Sequence, residues 1–167
     1  LDTPPPITIA SGSTTAAKPA SAPPRRSPTY SMAEGRLSMI NGIGCDIVDI
    51  ARIKKACLRQ PKFCETVLSQ SEQPVYAVRR SASEERGYRY LASRWAAKEA
   101  FSKALGTGFR GAVNFSDISI LNNELGAPYV QLSGKLAVQS KNQGLKCHVS
   151  ISDTDSSAMA MVVIEKE

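Results

Sequence analysis

Three side chains in this sequence stand where regular structure disfavours them, and each could do chemistry. Asp46 lies inside Ile43-Gly-Cys-Asp-Ile-Val48. That run reads as a strand, where aspartate is unfavourable and a carboxylate between apolar neighbours is costly unless a cation satisfies it. An edge-strand aspartate facing water fits the same residues. Glu99 and Lys103 follow Tyr88, Leu91, Ala92, Trp95 and Ala96 at three- and four-residue spacing, so a charged pair continues an apolar helical stripe. The plainer alternative is a surface pair at spacing four, worth roughly 0.3–0.5 kcal/mol. His148, the only histidine, shares one strand face with Ser150 and Ser152, while Cys147, Val149 and Ile151 take the other. On a central-looking strand this is a polar row, though a lone histidine also suits a hydrogen-bonded structural role.

Two basic features accompany these residues. Arg52, Lys54, Lys55, Arg59 and Lys62 fall within eleven residues, with no acid between Asp49 and Glu65. On a helix they form a positive face suited to an acidic protein helix or to nucleic acid, or simply a solvated surface. Gly106-Thr-Gly108 follows a helix that carries Arg94, Lys98 and Lys103. Backbone amides in such a turn, beside cations, can hold phosphate oxygens. A bare GTG is a weak sign, far short of a P-loop.

The elements that must position these groups alternate in type. Residues 39–50 are a glycine-punctuated, β-branched run that reads as a buried strand. Residues 51–58 continue as a basic helix stopped near Pro61, with a second short helix over 62–68. Ser83 caps a long helix reaching about Leu105; Glu84 and Glu85 suit its positive end, and Gly106 closes it. Residues 116–121 and 128–132 pair across an Asn122–Gly126 turn. A short helix over 135–142 precedes two alternating strands, 146–152 and 158–165, joined as a hairpin. Helices followed by antiparallel strands indicate an α+β fold: a single compact domain with a long helix on a mainly antiparallel sheet.

Composition bounds the rest. Seven of the ten prolines lie in residues 1–31, among Ser, Thr and Ala. Residues 1–38 are therefore expected to be a disordered extension, with the folded domain at 39–167. A Ser-rich, acid-poor leader suggests organelle targeting; a linker or an upstream-extended frame starting at Met32 or Met39 is the blander reading. No apolar run approaches the roughly 18 residues of a membrane-spanning helix. The four cysteines, Cys45, Cys57, Cys64 and Cys147, form no CxxC pair and no Cys/His cluster. They read as reduced, mostly buried thiols of a cytoplasmic protein rather than as a zinc site or disulfide scaffold. A net charge of +6 calls for an acidic partner or an anionic ligand without choosing between them.

Taken together, these oddities match one pattern. Gly42-Ile-Gly-Cys-Asp-Ile-Val-Asp-Ile-Ala-Arg52 resembles the opening motif of the holo-(acyl-carrier-protein) synthases, the small type of 4′-phosphopantetheinyl transferase. Arg94-Trp-Ala-Ala-Lys-Glu-Ala-Phe-Ser-Lys-Ala-Leu-Gly-Thr-Gly108 is similar to the second motif. Asn123-Glu-Leu-Gly-Ala-Pro128 and His148-Val-Ser-Ile-Ser-Asp153 are similar to later segments. The resemblance runs from about Ile40 to Ile164. It implies transfer of phosphopantetheine from coenzyme A to a serine of apo acyl carrier protein, with release of adenosine 3′,5′-bisphosphate. By motif position, Asp46 and Glu99 are expected to bind Mg²⁺, and Glu99 and Lys103 to be catalytic. Lys103 is placed to contact phosphate oxygens; Glu99 or a metal-bound water accepts the serine proton. Arg94, Lys103, Gly106, Pro128 and His148 belong to the coenzyme A site, with Arg94 and His148 candidates for its 3′-phosphate. Arg52, Lys55 and Arg59 are expected to dock the carrier protein's acidic helix. The family also implies a homotrimer with shared active sites, working in fatty acid biosynthesis. Asp153 stands where some relatives carry another histidine, and it receives no role.

Two other readings compete. A small basic nucleic-acid module built on Arg52–Lys62 lacks surface aromatic residues and any known docking motif. A non-catalytic scaffold that only binds carrier protein conflicts with an intact Asp46, Glu99 and Lys103. The resemblance favours an enzyme, with no nucleic-acid or membrane partner.

Overall fold

The computed structural model describes residues 38–106 and 114–167. The disorder expected at the N-terminus falls outside these residues but for Ser38, and Thr107 and Gly108 fall outside them too. The described chain begins with strand β1 (Met39–Asp49), then helices α1 (Ile50–Arg59), α2 (Phe63–Val67), α3 (Gln73–Ala82) and α4 (Glu84–Ala104). A 3₁₀ turn (Phe115–Asp117) leads into β2 (Ile118–Asn122) and β3 (Pro128–Leu132). Helix α5 (Gly134–Asn142) precedes β4 (Leu145–Asp153) and β5 (Ser157–Lys166). The α+β class and the long helix on antiparallel strands are as the sequence indicates. The strands form two sheets, however: a three-stranded one in the order β1-β5-β4 and the β2-β3 hairpin. The central strand is β5, so His148 on β4 lies on an edge strand, a correction to the central position expected for it.

Local chemistry explains most boundaries. Gln60 is extended (φ −132°, ψ 97°) and ends α1 because the following Pro61 disfavours helical backbone before it. Ser83 occupies the N-cap position of α4 with extended backbone, and Glu84 and Glu85 fill the first turn. Its side chain, contrary to expectation, makes no capping hydrogen bond. Beyond Leu105, Gly106 turns the chain away with φ +71°, a conformation that costs glycine nothing. Helix α3 has no counterpart in the sequence reading.

Helix α4 is the axis of the domain. Leu91, Ala92, Ala96, Ala97, Ala100 and Phe101 are all shielded from solvent, and so are Arg94 and Lys98. Strands β1 and β5 cover one side, and α3 and β2 others. Tyr88, Leu91, Ala92 and Ala96 are buried as the apolar stripe predicts, but its continuation through Glu99 and Lys103 is not. The line through Trp95, Glu99 and Lys103 is its most open one. Trp95 stays half-buried because its ring stacks between Phe63 (5.4 Å) and Phe115 (5.0 Å).

Strand β1 lies flush against this helix because two of its residues lack a side chain. A Cβ on Gly44 would stand 2.0 Å from the Ala100 carbonyl oxygen and 2.6 Å from the Ala104 amide nitrogen. One on Gly42 would stand 2.0 Å from the Ala104 oxygen. Both obstacles are backbone, which cannot step aside. Gly42, Gly44, Asp46 and Val48 share one strand face by the two-residue period, so the glycine contact carries Asp46 onto α4. Gly44→Ala is expected to cost about 3 kcal/mol, the upper end for overpacking. Urea unfolding measures this, and an unchanged midpoint would refute the close contact.

Two further expectations change. Cys45 is exposed and Cys57, Cys64 and Cys147 are half-buried, so the thiols are less enclosed than expected. Among the described residues, no helix is long and apolar enough to cross a membrane.

Candidate active site

The contact between β1 and α4 gathers the residues singled out by sequence. Lys103 Nζ donates to Asp46 Oδ1 at 2.8 Å and to the Cys45 carbonyl at 3.0 Å. Asp46 is largely shielded, with 17% of its side chain exposed, while Lys103 is 51% exposed. Glu99 lies one turn earlier on α4, near enough to feel them both. Partial burial raises its carboxyl above the usual range, and the negative charge of Asp46 raises it further. Lys103 and Arg52 oppose that rise. Lys103 in turn is held above its ordinary value, chiefly by its hydrogen bond to Asp46. Two carboxylates, far apart in sequence, therefore crowd one another beside a lysine and an arginine. These two carboxylates could hold a hard divalent cation, which would remove the repulsion that now burdens Glu99.

A second cluster sits across the helix. Arg94 is buried, yet no carboxylate pairs with it among the described residues. Its guanidinium donates to Asn122 Oδ1 (2.6 Å) and Ser93 Oγ (3.1 Å), and stacks 4.2 Å from the Tyr90 ring centroid. Its Nε finds no partner. A buried cation served only by neutral groups is matched to an anion from outside. Arg94 lines a cavity of about 990 Å³ with Pro128, Gly126 and three more arginines, Arg79, Arg86 and Arg89. The sequence reading missed those three and Asn122. Arg86, Arg89 and Arg94 recur on α4 at spacings that keep them near one face, and that signal was available.

The two clusters flank the central strand. Asp46 pairs with Ala160 from one side and Ile151, which lines the cavity, pairs with Ala160 from the other. Within one chain, α4 lies between them. His148 joins neither. It projects from the opposite, outer face of the sheet, where Nε2 lies 3.1 Å from Glu165 Oε2. Gly106 closes α4 three residues beyond Lys103.

Basic residues on α1 sort by role. Lys54 is engaged with Glu85 at 3.0 Å. Arg52, Lys55 and Arg59 are exposed and recur at spacings of three and four, so they form one positive stripe. Asp153, left without a role by sequence, faces Arg89 (3.6 Å), which also binds Asp155 at 2.7 Å.

The fold of this small α+β domain is found in solved enzymes. The crystal structure of holo-(acyl-carrier-protein) synthase from Neisseria meningitidis superposes with a TM-score of 0.70 and 38% identity, covering 77% of this chain and 100% of that one. A Bacillus anthracis holo-(acyl-carrier-protein) synthase, solved in complex with CoA (3′,5′-ADP), gives 0.64 and 36%, covering 77% and 99%. In sequence, the holo-(acyl-carrier-protein) synthase of Methylibium petroleiphilum is 44% identical over 130 residues, 77% of this chain and 98% of that protein. The model of the 4′-phosphopantetheinyl transferase superfamily matches residues 42–161, and the chain belongs to that family.

Proposed function

We propose that residues 39–167 form a Mg²⁺-dependent holo-(acyl-carrier-protein) synthase. It moves 4′-phosphopantetheine from coenzyme A to a serine of apo acyl carrier protein and releases adenosine 3′,5′-bisphosphate. One observation carries the reading: Asp46, Glu99 and Lys103 meet where β1 crosses α4. Asp46 and Glu99 are the ligands assigned to Mg²⁺. No group of three or more His, Cys, Asp or Glu side chains able to hold a metal occurs among the described residues. Two carboxylates fit this ion, which keeps most of its waters. When bound, it supplies charge neutralisation at the coenzyme A pyrophosphate.

The chain's own groups do the rest. Lys103 turns from Asp46 toward the phosphate oxygens and stabilises the charge that gathers on the leaving phosphate. The serine oxygen bonds to the phosphorus of the pantetheine-side phosphate as the bond to the departing nucleotide breaks. Glu99 or a water bound to the ion accepts the serine proton. Arg94, Pro128, Gly106 and His148 are assigned to coenzyme A. For Arg94 and Pro128, which line it, the arginine-rich cavity supports this, because it suits a nucleotide with a free 3′-phosphate. The stripe of Arg52, Lys55 and Arg59 suits the acidic helix of a carrier protein, where complementary charge mainly speeds association. Fatty acid biosynthesis in the cytoplasm is the setting that this reading supplies.

A homotrimer with shared sites belongs to the same reading. Three features support it: the two clusters flank β5 on opposite sides of α4, β1 and β4 are edge strands, and the outer face of β1 and β5 carries large apolar side chains. Ile43 (60%) and Ile47 (67%) are exposed there with Met159 and Met161. Packing these faces together covers that apolar surface. It also sets His148 at an interface between copies. Light scattering is expected to give three chains per particle, and Ile47→Asp is expected to give a folded monomer with lost activity. A fully active native monomer would refute sharing.

The activity is tested by incubating apo carrier protein with this protein, coenzyme A and Mg²⁺, and weighing the carrier by mass spectrometry. The phosphopantetheine adduct is expected, and a chelator is expected to prevent it. An unmodified carrier with Mg²⁺ present would refute the proposal.

A further inference from the structure

Outside the active site, two of the described cysteine side chains are in contact. Cys57 on α1 and Cys64 on α2 place their sulfurs 3.6 Å apart across the turn at Pro61. Cys64 Sγ lies 3.1 Å from the Tyr76 hydroxyl on α3, and Arg80 donates to that hydroxyl at 3.4 Å. The other two cysteines are elsewhere: Cys45 is exposed on the outer face of β1, and Cys147 is half-buried on β4. A disulfide needs sulfurs about 2.05 Å apart, so closing the bond requires the two sulfurs to move together from 3.6 Å.

We propose that Cys57 and Cys64 are a dithiol modification site that low-molecular-weight disulfides close into an intramolecular bond tying α1 to α2. The chemistry balances without metal or cofactor. A thiolate of the pair attacks the reagent disulfide, forms a mixed disulfide and expels one reagent thiol. The second cysteine then attacks the protein-side sulfur, the S–S bond between Cys57 and Cys64 forms, and the second reagent thiol leaves. Two electrons pass from the pair to the reagent, and the two thiol protons end on the released thiols. Proximity makes the second step faster than a second encounter with reagent, so the pair closes instead of carrying two adducts. Burial, followed by the contact with Cys64, pushes the Cys57 thiol up to about 12. Closure is therefore slow at neutral pH and accelerates as pH rises. This site is independent of the transferase reading.

The test uses the full wild-type chain, incubated natively with excess glutathione disulfide at mildly alkaline pH. Remaining thiols are then trapped with N-ethylmaleimide. After tryptic digestion without reduction, the expected result is one cross-linked species joining the Cys57 and Cys64 peptides, lighter than their sum by two hydrogens. Neither cysteine then carries maleimide, and reduction restores both. In Cys57→Ser, Cys64 is expected to stop at the mixed disulfide. Separate adducts on Cys57 and Cys64 in the wild-type protein would overturn the proposal. So would maleimide on both, or a bridge to Cys45 or Cys147.

Discussion

Alanine at Asp46 or at Glu99 is expected to lower the rate of holo-carrier formation by roughly 10³-fold or more, equivalent to about 4 kcal/mol of lost transition-state stabilisation. The argument starts from electrostatics. Burial and the neighbouring Asp46 already raise the Glu99 carboxyl, so the pair is held together at some cost to the protein alone. That cost is recovered only when a divalent ion and a pyrophosphate enter. Function and stability therefore move in opposite directions. Glu99→Gln removes the repulsion while preserving shape, so its thermal midpoint is expected to match or exceed wild type without added metal. Mass spectrometry of the carrier gives the rate, and calorimetry gives the midpoint. Either variant retaining full activity at ordinary Mg²⁺ would refute the metal-ligand assignment. A large drop in the midpoint of Glu99→Gln would show that Glu99 serves the fold instead.

The second large effect is on stability, at Lys98. Its ammonium is completely buried and gives its three protons to Glu72 Oε2 (2.6 Å), the Val67 carbonyl (2.7 Å) and the Phe115 carbonyl (2.9 Å). Glu72, equally buried, also accepts the backbone N–H groups of Ser69 and Ile120, both at 2.8 Å. Burial pulls Lys98 below its ordinary value, and Glu72 restrains the fall. Lys98→Met is expected to cost about 3–5 kcal/mol, because it strands a carboxylate inside the protein. Glu72→Gln is expected to cost less, since one amide oxygen still accepts a hydrogen bond. The double variant is expected to be less unstable than the sum of the two, because the second change no longer breaks an ion pair. Denaturant unfolding of the three variants measures this. Strict additivity would show that the pair is not the source of the loss.

Much of this was written in local pattern. The turn at Asn122–Gly126 and the β2-β3 pairing follow from a polar cluster between short apolar runs. The two-residue alternation of β4 assigns His148 to one face and Val149 to the other, as observed. Motif residues also led to Asp46, Glu99 and Lys103, which do meet. What escaped was long-range. Lys98 read as one cation among three near a glycine turn, because its partner Glu72 lies 26 residues away, at the N-cap of a helix the periodic reading had not found. Helix α3 begins with Gln73-Pro-Val, where proline is tolerated because first-turn amides need no intrahelical acceptor. Its absence from the reading concealed the arginine cavity, one wall of which it forms. The open position of Glu99 and Lys103 on α4 escaped for a related reason. A helix wrapped by several elements keeps only a narrow open line, here through Trp95, Glu99 and Lys103, and a broad periodic pattern does not mark it.

That enclosure has a bearing on how the enzyme fails. Glu99 and Lys103 ride on the same twenty-one-residue helix whose alanines and phenylalanine anchor everything around it. A catalytic centre mounted on a peripheral loop can fray and re-form while the body of the molecule stays intact. Here the reacting groups share their backbone with the keystone, so within one subunit Glu99 and Lys103 are expected to lose their placement only when the whole domain unfolds.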